Sequence, residues 1–197
     1  MEEQVIAIDR VVLVKALPIG LNLTLCAVSY GMIISYGVRY GKEINIENTG
    51  MLFLFMAIGI GTSRIFAGRF VDRGHIHAVA FFSQCLLTVA LVIFSLVHNV
   101  FAFCGMALLC GLAFGSMVPA FQTLFVNMAH HNQRGTANST YLTSFDVGIG
   151  TGMLLGGFIA SLADMAMAYL VSGMLSLIAI PYYYFVSQKV YERGKVI

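Results

Sequence analysis

Two apolar runs, Gly50 to Ala67 and Ala78 to Val97, flank the one stretch of this chain where charge is crowded: Gly68-Arg69-Phe70-Val71-Asp72-Arg73-Gly74-His75. Each run is long enough for a helix to cross a bilayer core of ~30 Å, which takes roughly 20 apolar residues. The charged stretch therefore reads as a short basic turn between two membrane-spanning helices. Glycines at its ends let the chain reverse where a side chain would obstruct it. Asp72 stands there among Arg64, Arg69 and Arg73. A loop that only fixed topology would need the positive charge. It would not need the aspartate, nor glycine at both ends.

The rest of the chain repeats this alternation. Hydrophobic residues make up 59% and charged residues 10%, against a charged share of ~25% in soluble domains. The expected fold class is an all-α membrane protein, a single domain over residues 1–197 with six transmembrane helices. The spans fall at about 11–38, 50–67, 78–97, 100–127, 137–162 and 165–185. The formal net charge is +2 with the basic residues scattered over loop ends, which argues against a nucleic-acid partner. Cys26, Cys85, Cys104 and Cys110 lie within apolar stretches without ligand spacing and read as free buried thiols. The start, Met1-Glu2-Glu3, is acidic where a secretory signal is basic, so no cleavable address is expected.

In the first span Lys15, Asn22, Ser29 and Tyr36 recur every seven residues, near one helix face. Such a stripe faces either a watery cavity or neighbouring helices through hydrogen bonds worth ~0.6 kcal/mol each; the cavity is the favoured reading. Pro18 can bend this helix by removing a backbone donor. Arg39 to Thr49 is expected to be the longest polar loop. In the fourth span Gly111 and Gly115 permit close helix approach, and Pro119 opens the bond to the Gly115 carbonyl. Tyr182, Tyr183 and Tyr184 fit an interfacial aromatic anchor.

Six spans put both termini on one side. That side collects Arg10, Lys15, Arg69, Arg73, Arg134, Lys189, Arg193 and Lys195, with Arg64 one turn inside; the other side has Arg39 and Lys42. By the positive-inside rule both termini are cytoplasmic.

Gly59-Ile60-Gly61-Thr62 recurs as Gly148-Ile149-Gly150-Thr151, and on that alignment Gly68 falls on Gly157. The two copies lie in corresponding helices of two three-helix units that cross the membrane in opposite directions. Gly148, Gly152 and Gly156 add a groove suited to tight helix packing. The second and fifth helices are expected to lie beside each other and to present these glycines to a partner bundle.

The pattern G-x-x-x-D-R-x-G over Gly68, Asp72, Arg73 and Gly74, with Arg64 four residues earlier, resembles the loop signature of the major facilitator superfamily of transporters. It departs at His75 and Ile76, where that family usually carries more basic residues. The inverted repeat is similar to the three-plus-three repeat within a six-helix half of such folds. The stretch from Arg134 through Phe145-Asp146 to Gly152 looks like the eleventh helix of a twelve-helix member, which maps the chain onto the C-terminal half. Met153 stands near where the fifth-helix signature would carry a proline. The resemblance implies a secondary transporter working by alternating access. It implies efflux of a small solute, an integral protein of a bacterial inner (plasma) membrane, and a partner: an N-terminal six-helix half or a second copy. It also implies that Asp72 locks the gate loop against a helix of the opposite half.

Asp146 is the one carboxylate deep in a span, ~14 Å beyond Ala137 at 1.5 Å per residue. Ser139, Thr143 and Gly150 share its face. A buried lone carboxylate is costly, so Asp146 is a candidate proton carrier or counter-ion for a cationic solute. A structural hydrogen bond to a neighbouring helix is the alternative. Asn22, Gln122 and Ser116 are further candidate cavity groups, and Arg64 is expected to play a structural part, snorkelling to the interface or pairing with Asp72 or a helix end. His75, His77, His130 and His131 lack an accompanying cysteine or acidic pair, so no metal and no cofactor are expected. An intramembrane serine protease would need a histidine within a span, and Ser116 has none. A truncated fragment without activity of its own is the other alternative.

Overall fold

In a computed structural model of the chain, which describes residues 12–196, the fold is six long helices. They are α1 (Leu17–Glu43), α2 (Met51–Asp72), α3 (Ile76–Leu96), α4 (Val100–Asn127), α5 (Arg134–Leu162) and α6 (Met165–Tyr182). A 3-10 turn, Val14–Ala16, leads into α1, and α6 continues through a π turn, Tyr183–Ser187, into α7 (Gln188–Gly194). Six helical segments are long and apolar enough to cross a membrane. Helices suit this because a bilayer core leaves the backbone nothing but itself to bond. Arg10 and the expected start of the first span at Val11 lie outside the described residues.

The tightest reversals are set by side-chain caps. Asn99 accepts from the Ala102 N–H at 2.8 Å to open α4, and Asp164 accepts from the Met167 N–H at 2.8 Å to open α6. Each cap satisfies a donor that the first helical turn leaves free. At the opposite end of the bundle the Leu13 N–H donates to Thr140 Oγ1 at 2.9 Å, and Asn127 Nδ2 donates to the Tyr191 hydroxyl at 3.1 Å. The start of α1, the α4–α5 connection and α7 therefore share one end.

Several expected boundaries move. α1 runs past Val38 to Glu43, so half of the expected loop Arg39 to Thr49 is helix. The pair Arg39–Glu43, 3.1 Å apart at i,i+4 spacing, suits that extra turn. Pro18 sits in the first turn of α1 and bends nothing, since the N–H it lacks is unpaired there anyway. α2 continues through Gly68 to Asp72, which shrinks the charged turn to Arg73–His75. Gly68 thus bounds no turn; of the two glycines Gly74, at φ +85°, is the one in the left-handed conformation. The last span does not stop at Phe185 but stays helical to Gly194. Tyr183 is buried against the core rather than anchored at an interface, while Tyr184 is exposed.

The expected α2–α5 pairing also fails. α2 packs along α4, and α5 packs along α1. The buried stripe of α2 is Leu52, Met56, Gly59, Ser63 and Ala67. Shifted by the 89 residues that align the Gly-Ile-Gly-Thr copies, it becomes Tyr141, Phe145, Gly148, Gly152 and Gly156. Four of these are buried and Phe145 is half-buried. The contacts repeat as well. A Cβ on Gly59 would strike the Leu108 carbonyl, and one on Gly148 would strike the Thr24 carbonyl. A Cβ on Gly115 would strike the Ile60 backbone, and one on Gly31 would strike the Ile149 carbonyl. The partners Leu108 and Thr24, like Gly115 and Gly31, are 84 residues apart, so one offset relates α1 to α4. Tyr30 and Phe114 also differ by 84, and their rings meet edge-on at 4.8 Å. Equivalent residues touch only at a symmetry axis, so this pair marks the pseudo-twofold of the inverted repeat.

Gly61 and Gly150, also equivalent, face open space. Gly59→Ala and Gly152→Ala are therefore expected to lower stability by about 1–3 kcal/mol through overpacking. Gly61→Ala and Gly150→Ala should be neutral. Thermal denaturation of the four variants in detergent measures the contrast.

Candidate functional site

The stripe on α1 resolves into helix packing. Lys15 is exposed at the end of the bundle. Asn22 is fully buried, and its Nδ2 donates to the Ala179 carbonyl of α6 at 2.6 Å. Ser29 accepts from Ser172 at 2.7 Å and lies 3.1 Å from the Ser176 hydroxyl. Tyr36 donates to the Met153 carbonyl at 2.9 Å. The favoured cavity reading of this stripe is overturned: a lipid-spanning helix with polar groups along one face spends them on adjacent helices. Asn22 is thereby removed from any open face. Ser116 likewise bonds back to the Leu112 carbonyl of its own helix at 2.8 Å.

The polar groups that do reach an open face gather around α5. This helix buries only a narrow stripe, and Ser139, Thr143 and Asp146 stand exposed on its other side. Asp146 lies two residues before Gly148, the midpoint of the 29-residue helix, which is mid-depth in a bilayer. Among the described residues it has no ion-pair or hydrogen-bond partner. Arg64, eight residues before the end of α2, is exposed and equally unpaired. The expected pairing of Arg64 with Asp72 is not made. The charges of Arg64 and Asp146 both act on Tyr141, so both lie near that ring.

Tyr141 belongs to an aromatic series. Phe125 meets Tyr141 at 5.9 Å, Tyr141 stacks on Phe145 at 6.5 Å, Phe145 meets Tyr30 at 5.6 Å, and Tyr30 meets Phe114 at 4.8 Å. Tyr30 and Phe145 are half-buried and present their rings at the surface. The Tyr30 and Tyr141 hydroxyls make no hydrogen bond among the described residues and are not sealed in. Gln122 is exposed on α4, its Nε2 donating to Asn138 Oδ1 at 2.9 Å. The patch thus offers aromatic faces, which attract cations and flat rings, with a carboxylate and a guanidinium at its edges.

The residues alone single out Asp146 and Gln122 as candidates and give Arg64 a structural part, but they do not single out the rings. Tyr141 and Phe145 could have been read from their i,i+4 spacing beside Asp146. The Tyr30–Phe114 contact could not, because the offset between α1 and α4 has no sequence match to reveal it.

The charged turn is fully outward. Arg69, Asp72 and Arg73 are exposed and without ion pairs among the described residues, and Gly68 faces open space. The groove glycines Gly148, Gly152 and Gly156 lie against α1, at Thr24, Val28 and Tyr36. Beyond the last span Lys195 donates to Glu192 at 2.6 Å, and that bond holds its ammonium above the ordinary lysine pKa.

The family model of the Major Facilitator Superfamily matches residues 17–195, from the first residue of α1 to just past α7. The chain belongs to the Major Facilitator Superfamily. Members of that family are membrane transporters, and the inverted repeat and six apolar helices of this chain are those of an integral membrane protein. A search of curated proteins returns no match.

Packing and site residues should separate on substitution. Ser29→Ala is expected to cost about 0.6 kcal/mol for each of the two hydroxyl partners it deprives, seen as a lower unfolding midpoint. Phe145→Leu and Tyr141→Phe should leave that midpoint within about 1 kcal/mol, as isosteric or surface changes do.

Proposed function

We propose that this superfamily chain is one six-helix half, the C-terminal one, of a secondary transporter that exports a small solute by alternating access. The carrying observation is Asp146: mid-depth, exposed and unpaired among the described residues, beside an aromatic patch whose Tyr141 also lies near Arg64. A charged group facing lipid there costs ~2.5–3.5 kcal/mol on insertion scales. Covering the patch with a second bundle, and water or solute between, removes that cost. The partner is an N-terminal six-helix half or a second copy of this chain, and the substrate lies near midplane between the halves.

On this reading Asp146 binds and releases a proton as the cavity changes sides, and its carboxylate serves as counter-ion when the solute carries positive charge. Gln122 and Asn138 contribute neutral hydrogen-bonding groups near one mouth. Asp72 locks the gate loop on the partner half, which fits its lack of a partner within this one. The end holding the Arg73–His75 turn and α7 is cytoplasmic, as the excess of basic residues there indicates. The setting is a bacterial inner membrane.

In a complete transporter containing this half, Asp146→Asn preserves shape and hydrogen bonding and removes titration. It should express normally and lose proton-driven transport by about 100-fold, within the range that loss of proton-transfer catalysis gives. Unchanged, still pH-dependent transport in vesicles with an imposed pH gradient overturns the assignment. Asn22→Leu, by contrast, should alter stability and leave solute selectivity alone.

A further inference from the structure

The π turn between α6 and α7 changes which face of α7 meets the bundle. At 100° per residue an unbroken α-helix would place Glu192 about 180° around from Tyr183 and Tyr191 about 80° around. A π turn inserts one residue into the helical path, which takes back about 100°. Tyr183, Tyr191 and Glu192 then fall within about 100° of one another. All three converge on a single side chain, His77, in the first turn of α3. The Tyr183 hydroxyl lies 2.9 Å from His77 Nδ1, and Glu192 Oε1 lies 3.2 Å from Nε2. The Tyr191 ring stands edge-on to the imidazole at 5.0 Å. A neutral imidazole protonated on Nε2 satisfies both contacts, accepting from Tyr183 and donating to Glu192.

The same segment is tied to α4. Asn127 Nδ2 donates to the Tyr191 hydroxyl at 3.1 Å, and the Val196 N–H donates to the Asn127 carbonyl at 2.9 Å. Tyr183 also rests on Phe121 at 5.9 Å between ring centroids. His77 follows the Arg73–His75 turn by two residues, and α3 begins at Ile76. Whatever holds His77 therefore holds the exit of the charged turn. On its other side the turn is tied only to α2, by the N–H groups of Arg73, Gly74 and His75 bonding back to the carbonyls of Arg69, Val71 and Phe70, and its three residues are exposed.

We propose that α7 is a clasp, brought into register by the π turn, that closes on His77 and fixes the turn between α2 and α3; the turn moves only when α7 releases. The clasp acts through position, so it operates whichever solute the transporter carries and whichever partner completes it.

Amide hydrogen exchange on the full chain in lipid nanodiscs tests this without any transport assay. His77→Phe keeps a ring and removes both hydrogen bonds. Insertion of one alanine between Ser187 and Gln188 turns α7 by about 100° and swings Glu192 off His77. Both are expected to speed exchange about 10-fold in Gln188–Gly194 and in residues 73–80, the scale of losing a local anchor. Tyr183→Phe, which leaves packing intact and guards against misfolding of the others, should give about 3-fold in both segments, as one hydrogen bond would. Lys195→Ala, which spares His77, should leave residues 73–80 unchanged. Faster exchange in α7 with no change in residues 73–80 overturns the proposal, because α7 would then anchor only itself. No change in α7 in any His77 or Tyr183 variant overturns it equally.

Discussion

Two helix crossings carry this fold, and both depend on backbone meeting backbone. At the α2–α4 crossing Gly59, Gly111 and Gly115 leave no room for a Cβ; at the α1–α5 crossing Gly31, Gly148 and Gly152 do the same. In lipid the apolar surfaces of helices have no water to escape, so association rests on van der Waals contact and hydrogen bonding. Small residues maximise the first by letting helices approach. The hydroxyls of Ser29, Ser172 and Ser176 and the amide of Asn22 add the second at the neighbouring α1–α6 contact. Because the two crossings are copies, the bundle inherits an approximate twofold axis, and the ring pair Tyr30–Phe114 sits on it.

That arrangement decides which surfaces are left over. With their small-residue stripes spent on α4 and α1, α2 and α5 turn most of their circumference outward. Arg64 and Asp146 lie on those outward sides, as does the half-buried ring of Phe145, which meets Tyr30 of α1. Both charges and the Tyr30 and Tyr141 hydroxyls make no hydrogen bond among the described residues. The same packing that stabilises the bundle thus leaves it with a polar, aromatic wall. α7 and its π turn occupy a different place, at the end that holds the start of α3 and the end of α4.

Much of this is legible in the residues alone. Spans of the right length, the inverted repeat and the mid-depth carboxylate follow from apolar run length, the twice-used Gly-Ile-Gly-Thr and the position of Asp146. The fourth span needed no correction, because Asn99 caps its start and polar residues follow Asn127. Errors came where local chemistry was ambiguous. Arg39–Glu43 reads equally as a polar loop or as an ion-paired last turn. The heptad Lys15, Asn22, Ser29, Tyr36 shares a face, but a face does not name its neighbour. The glycines were recognised as packing residues and assigned to the wrong partner for the same reason.

The sequence by itself determined that the chain spans a membrane six times, that its halves are inverted copies, and where charge enters the bilayer. These follow from composition and periodicity, which act along the chain and need no knowledge of what lies across from it. Only the tertiary structure decided that α2 embraces α4 while α5 embraces α1, that Asn22 is a strut rather than a cavity group, and that Tyr183, Tyr191 and Glu192 meet at His77. Each depends on rotation of a helix about its own axis relative to a distant segment. A single residue of π insertion shifts that rotation by about 100°, and nothing in local propensity announces it.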